Sequence, residues 1–559
     1  MPRAQVPMVP MTDIVSPVTS RNGTVLPPYN TTHYFDQLID HDNPDLGTFS
    51  QRYWHTYEYY VEGGPIILMT PGEANAQGYD GYLTNRTING QIAQQQNGST
   101  IVLEHRFYGL SNPYPDLSGD SLKLHTIDQA IEDLIYFANN VDLPMPSGGQ
   151  VGPDNAPWIL VGGSYSGALT SWTMVADTDD TFYAGYASSA VVEAILDFWA
   201  YFTPIRENMP QNCSADVQAV VAYVDQVFTS TNETAIEEVK DAFGLSDLSH
   251  VDDVAGALHV FPVRNNLWDW QSLQITSGPN AQFYQFCDAL EVDASGETAP
   301  EEGFGLEHAF AAWSTYFKDK YYAMLCGDTD AETCLGTYDP TQEYWTDTSI
   351  DNGKFVFPFS LQVSDWCRQP IVQWFWIVCN EVGYLQEGAP EDQPTLVTRL
   401  VQPDYDLRQC QYMFSDVFAE PPTPNINHTN SAYAGWDVRE ERLFFANGQK
   451  DPWREATMSA SGLNVASTPE QPIMIGDGIH CSDLGTSSGT ADPTVRAVQQ
   501  GALQSMATWL ADWSTPAERK RSNSRKAKMV SPARRVDESD TTAKSPGPIN
   551  AFFKGAGSF

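Results

Sequence analysis

The chain has 559 residues, with 71 Asp+Glu against 30 Lys+Arg, 42% hydrophobic and 12% aromatic residues. That apolar share fills a large packed core and excludes wholesale disorder, and no stretch approaches the roughly 18 uninterrupted apolar residues of a membrane-spanning helix. A formal charge of −41 excludes nucleic acid or anionic lipid as the main partner, because both demand a cationic surface.

Residues 1–30 are rich in Pro, Thr and Asn and read as an extended segment. Met1 to Val15 lacks the apolar run of roughly 7–15 residues that a secretory signal needs, so the start reads as truncated or misassigned. Short apolar runs bounded by turn residues then recur at Pro65–Thr70, Ile101–Leu103, Trp158–Val161, Tyr183–Ala187, Leu443–Ala446 and Ile473–Ile475. Continuous β-rich runs of this kind suit strands buried on both faces of a mainly parallel sheet. Between them, Thr126–Phe137 and the stretch from Val495 to Trp513 repeat apolar residues with helical period. Alternating strands and helices predict an α/β core over 31–192 and 435–515. The region 193–434 is helical, aromatic and cysteine-rich, and reads as a cap inserted into that core. After Pro516 comes an aperiodic basic tail, 516–559, with ten Lys/Arg and four Asp/Glu; it reads as disordered.

Cysteines and glycosylation acceptors point to one compartment, against the missing secretory run at Met1 to Val15. The eight cysteines are Cys213, Cys287, Cys326, Cys334, Cys367, Cys379, Cys410 and Cys481; none has paired zinc-site spacing, and four disulfides are expected. Seven Asn-x-Ser/Thr acceptors, Asn22, Asn30, Asn85, Asn97, Asn212, Asn232 and Asn427, predict glycosylation. A secreted, extracellular or vacuolar protein follows. A surface this acidic discharges as pH falls toward the sequence pI of about 4.3, which points to an acidic workplace.

The chemistry starts at Trp158–Val161, a strand running into Gly162, Gly163, Ser164, Tyr165, Ser166 and Gly167. A serine at the apex of a glycine-rich strand-to-helix turn is the nucleophile-elbow pattern, with Ser166 where the second glycine usually stands. Downstream, the run Leu443–Ala446 delivers Asp451, and Ile473–Ile475 leads to His480. Ser, acid, His is the chain order of α/β-hydrolases. Asp477 is the rival acid, and the other histidines, His105 included, read as surface or packing residues.

Six blocks resemble the S28 serine peptidases, the family of lysosomal prolyl carboxypeptidase, dipeptidyl peptidase II and fungal acid prolyl endoprotease. They are Tyr34–Trp54, Glu104–Gly109, Gly162–Gly167, Trp374–Tyr384, Asp451–Trp453 and His480–Leu484, in the family's order over roughly residues 33–514. The resemblance implies an α/β-hydrolase core with a helical cap, cleavage after proline, and Ser164, Asp451 and His480 as the triad. Where the family usually has a Gly-Gly-Glu or Gly-Asn-Glu-Gly loop, this chain has Pro71, Gly72, Glu73 and Ala74, which leaves the subtype open.

Oxyanion donors are expected from the backbone of Tyr165 and of Gly72 or Glu73. Trp453 is placed to wall a flat proline pocket, with Trp374, Trp376 and Tyr384 either completing it or packing the cap. Glu73 and Glu381 are candidates for a substrate ammonium group, and Glu104 with Arg106 for a structural ion pair. The expected substrate is a proline-containing peptide or protein, turned over by a monomer or homodimer without metal or cofactor. An endoprotease is favoured over dipeptidyl peptidase and carboxypeptidase subtypes. An esterase with the same triad and a catalytically silent hydrolase-fold binding protein are the competing readings.

Overall fold

The computed structural model describes residues 17–259, 266–350 and 371–515. Ten strands occur among them. They are β1 (Thr32–Leu38), β2 (Thr48–Thr56), β3 (Ile66–Met69), β4 (Ser99–Leu103), β5 (Trp158–Gly163), β6 (Ala184–Ser188), β7 (Ile195–Asp197), β8 (Gly383–Leu385), β9 (Leu443–Gly448) and β10 (Ile473–Gly476). Eight of them form one sheet in the order β1-β2-β4-β3-β5-β6-β9-β10, with β1, β2 and β4 antiparallel and the remaining pairs parallel.

The continuous apolar runs have the expected cause. On β3, Ile66 and Leu68 enter one core cluster while Ile67 and Met69 enter the other, and β5 divides Trp158 and Leu160 from Ile159 and Val161 in the same way. Helix Ile127–Asn140 covers the first face with Ile127, Ala130, Ile131, Leu134 and Phe137, and Thr126 Oγ1 caps it by accepting from Gln129 N–H. Helix Pro493–Ala511 covers the opposite face with Val498, Ala502, Met506 and Trp509, begun by Asp492 as cap and Pro493 at its first position. This is an α/β-hydrolase sheet.

Between β6 and β9 the chain makes a long, mostly helical excursion. The short parallel pair β7–β8 ties its beginning to its later part, and Cys213–Cys287, Cys326–Cys334 and Cys379–Cys410 cross-link it. Three of the expected four disulfides occur among the described residues. Cys481 is a buried free thiol on the loop after β10, remote in sequence from the excursion's cysteines, and Cys367 lies outside the described residues.

The described part of the N-terminal segment is not simply extended. Thr19 and Val25 form a β-bridge, Val18, Leu26 and Tyr29 are buried in the second cluster, and Arg21 donates to the carbonyls of Tyr59 and Gln94. The tail 516–559 lies outside the described residues. Among the described residues, no helix is long and apolar enough to cross a membrane.

Candidate active site

β5 ends at Gly163 and helix Tyr165–Ala176 begins two residues later, so Ser164 occupies the corner with φ 61° and ψ −126°. A non-glycine residue at positive φ is strained, and the surrounding turn must hold it there. Space is the limit: a Cβ on Gly162 would lie 1.9 Å from the Ser166 carbonyl oxygen. Ser166 itself clamps the corner, since its hydroxyl donates to Gly163 C=O at 2.8 Å and accepts from Gly163 N–H at 3.1 Å. The departure from glycine at this position is therefore a built contact.

The acid and the base arrive from the neighbouring strands β9 and β10. His480 Nδ1 lies 2.9 Å from Asp451 Oδ1 and its Nε2 lies 2.7 Å from Ser164 Oγ. A carboxylate accepts only, so Nδ1 carries the hydrogen, Nε2 is the acceptor, and the serine hydroxyl donates to it. Asp451 Oδ1 also accepts from Trp453 N–H at 2.9 Å, which fixes the carboxylate. All three side chains are buried. Burial disfavours the imidazolium of His480, and Asp451 together with the adjoining Cys481 more than offsets it, so that its pKa stands well above the ordinary value. The rival acid, Asp477, is turned to Lys450 Nζ at 2.9 Å.

The histidine loop is pinned to the end of β6. Asp483 accepts from Tyr186 O–H at 2.6 Å and from Ser188 Oγ at 2.8 Å, and Cys481 N–H donates to Ser189 Oγ at 3.0 Å. Burial raises Asp483 to about 6. Its place in the His480–Leu484 block was the only sequence signal of this role.

Tyr165 opens its helix, so its N–H has no intrahelical acceptor and faces the corner beside Ser164. The loop after β3 overlies it: a Cβ on Gly72, at φ +73°, would meet Ser166 Cβ at 3.2 Å and Tyr165 Cδ1 at 3.4 Å. Gly72 N–H is directed to Thr70 Oγ1 at 3.3 Å. The Glu73 side chain is fully buried.

The aromatic candidates separate. Trp453 is ringed by Phe198, Tyr201 and Tyr384 at 5.5, 5.3 and 5.4 Å, with His480 at 6.4 Å. Tyr384 O–H donates to Val191 C=O. Trp374 stands edge-on to Tyr165 at 5.4 Å, whereas Trp376 packs on Phe414 and Phe418 within the excursion. Glu381 accepts from Ile127 N–H at 3.0 Å and burial pushes it up to about 8, so it caps a helix as a largely neutral acid. Glu104 and Arg106 do not pair with each other: Glu104 binds Arg52 and Arg106 binds Asp133, each at 2.6 Å.

His105 is a buried packing residue, set against Tyr108, His125 and Tyr165, and it is hydrogen-bonded as well. Its Nδ1 lies 2.8 Å from Arg106 C=O and must donate, which leaves Nε2 to accept from Tyr165 O–H at 3.3 Å. Burial lowers its pKa to about 4, so the ring stays a neutral acceptor.

An α/β-hydrolase sheet carrying a serine elbow within hydrogen-bonding reach of a histidine and an acid defines the architecture of a serine hydrolase. Residues 37–268 and 314–501 match the family described as serine carboxypeptidase S28. Serine proteases vicPa and vicPb of Bipolaris victoriae are each 33% identical to this chain, over 503 and 502 residues. Those alignments span 86% of this chain in both cases, and 88% and 89% of the respective relatives. A probable extracellular serine carboxypeptidase of Arthroderma benhamiae is 31% identical over 458 residues, 77% of this chain and 59% of that protein. The chain belongs to the S28 serine peptidase family.

Proposed function

We propose that the chain is a secreted serine peptidase that hydrolyses peptide bonds on the carboxyl side of proline through an acyl-enzyme intermediate, as an endoprotease. The observation that carries this reading is the unbroken relay Asp451–His480–Ser164, at 2.9 and 2.7 Å, in an S28 chain. His480 takes the Ser164 proton as Oγ attacks the scissile carbonyl, then returns it to the leaving amine. Asp451 holds the tautomer and stabilises the imidazolium. The N–H groups of Tyr165 and of Gly72 or Glu73 receive the oxyanion, each worth about 3–4 kcal/mol in comparable sites.

Post-proline specificity is supported by the box of Trp453, Phe198, Tyr201 and Tyr384 beside His480, since a pyrrolidine ring offers no N–H and packs well on aromatic faces. Secretion is supported by three disulfides and by the relative named extracellular. Asn22, Asn30, Asn85, Asn97, Asn232 and Asn427 are exposed and are the proposed glycosylation sites; Asn212 is half-buried, with its amide engaged by Cys213 and Ala299. The acidic surface favours an acid workplace, whereas His480 points the other way, because a base held above its ordinary pKa is protonated in acid.

The names borne by the family and by the Arthroderma relative say serine carboxypeptidase and favour carboxypeptidase action as the second reading, taken here with proline before the scissile bond. Three substrates separate the subtypes: N-blocked Gly-Pro-anilide, free Lys-Pro-anilide, and a peptide ending in Pro-Xaa. Turnover of the blocked anilide is expected. Turnover of only the second means a dipeptidyl peptidase and of only the third a carboxypeptidase. Ester hydrolysis without any preference for proline would overturn the reading.

A further inference from the structure

Among the contacts between the helical excursion and the catalytic acid's loop, one joins two walls of the aromatic box. Trp453 is fully buried, and its indole N–H donates to Gln271 Oε1 at 2.7 Å. The Tyr201 hydroxyl donates to the same oxygen at 3.0 Å. The two rings stand edge to face, 5.3 Å apart at 83°. One amide oxygen therefore fixes two walls of the aromatic box relative to each other. The preceding residue, Trp270, donates its indole N–H to Lys450 C=O at 2.8 Å. Two adjacent residues of the excursion thus grip the segment Lys450–Trp453, whose backbone N–H at Trp453 also orients Asp451.

We propose that Gln271 is the positioning residue that sets the shape of the aromatic substrate pocket, by anchoring Trp453 and Tyr201 through its side-chain oxygen. The chemistry restricts the choice of residue. An amide oxygen has two lone pairs and serves both donors at once. A leucine there would leave an indole N–H and a phenol O–H buried without their acceptor, and both rings would be released to turn. Asparagine is one methylene shorter and does not reach both donors. Glutamate keeps the oxygen and the reach. Gln271 holds Trp453 and Tyr201, and Trp270 holds Lys450, none of them a member of the triad, so the effect runs through substrate seating and not through the relay.

The inference deepens the post-proline reading and rests on it for the identity of the side chain seated in the pocket. Its test compares Gln271→Leu, Gln271→Asn and Gln271→Glu with wild type on N-blocked substrates differing only in Pro or Ala before the scissile bond, with Trp453→Ala as the pocket control. Gln271→Leu is expected to lower the Pro/Ala ratio of kcat/KM roughly tenfold, carried by KM with kcat within about threefold. Gln271→Glu is expected to return the ratio to within about threefold of wild type, a rescue that a merely structural role would not give. If Gln271→Leu does not fold, as read by thermal unfolding, Gln271→Asn is measured against the same expectation. An unchanged ratio in the folded Leu or Asn variant, when Trp453→Ala does change it, overturns the positioning role. If wild type prefers a residue other than proline, the post-proline reading falls by itself. The KM shift and its rescue are then read with the preferred residue, and their absence overturns the role of Gln271.

Discussion

Replacing Asp451 by Asn removes a charge while keeping shape, and the structure sets the size of the effect. In the resting state the amide oxygen still accepts from His480 Nδ1–H and Trp453 N–H, where the carboxylate oxygen now accepts from both at 2.9 Å. In the transition state His480 is positive, and the wild-type carboxylate faces it with charge centres about 4 Å apart. At an effective dielectric of about 20 that attraction is worth about 4 kcal/mol. Losing it slows acylation by about a thousandfold. The loss falls on kcat, with KM for a peptide anilide nearly unchanged, because Asp451 is fully buried and acts through His480. The same charge raises the His480 pKa, so the acid limb of the kcat/KM–pH profile moves to lower pH in the variant. Wild type is expected to lose activity as pH falls through a value above 6.5. A variant retaining more than a tenth of wild-type kcat, or one whose acid limb stays in place, would refute the assigned role.

Two further outcomes follow from the same site and its surroundings. His105→Leu and Tyr165→Phe each remove the Tyr165–His105 hydrogen bond, so the double variant is expected to be no slower than the worse single one; additive losses would show that the two residues act separately. Stability is expected to fall on the alkaline side. Burial raises Glu381 to about 8 and Glu291 to about 7, so the folded state binds these protons more tightly than the unfolded chain, and Tm rises as pH falls from 8.5 to 6.5. Burial holds His55 near 3, His105 near 4 and His125 well below its ordinary value. The unfolded chain therefore takes up these protons below about 6.5, which opposes the gain from the buried carboxyls there. Glu381→Gln is expected to flatten the alkaline part of this curve, and a Tm that rises steadily from pH 5 to 8.5 would contradict the assignment.

What the sequence disclosed and what it withheld divide along contact range. The runs at β3, β5, β6 and β9 were readable because each strand is buried on both faces and so must be continuously apolar, while the edge strand β10 kept an apolar run although Ile475 is exposed. Ser164, Asp451 and His480 were readable because each stands at a fixed offset from the end of such a run. Pairings among side chains from different elements were not. Glu104 and Arg106 lie two positions apart, yet their partners Arg52 and Asp133 come from another strand and a covering helix. His105 carries no local sign of Tyr165, which is 60 residues away. Gln271 lies 182 residues before Trp453, in a region whose composition reports only helix and burial. Cysteine parity suggested a fourth bridge, but Cys481 is placed by the catalytic loop and not by the cross-linked excursion.

The account rests on Ser164 being a nucleophile armed by His480. Mass spectrometry of the folded protein after exposure to a fluorophosphonate tests this most directly. The prediction is a single stoichiometric adduct on the peptide containing Ser164, absent in Ser164→Ala and slowed by at least a hundredfold in His480→Ala. An unlabelled Ser164 in folded protein, or labelling that is indifferent to His480, would contradict it.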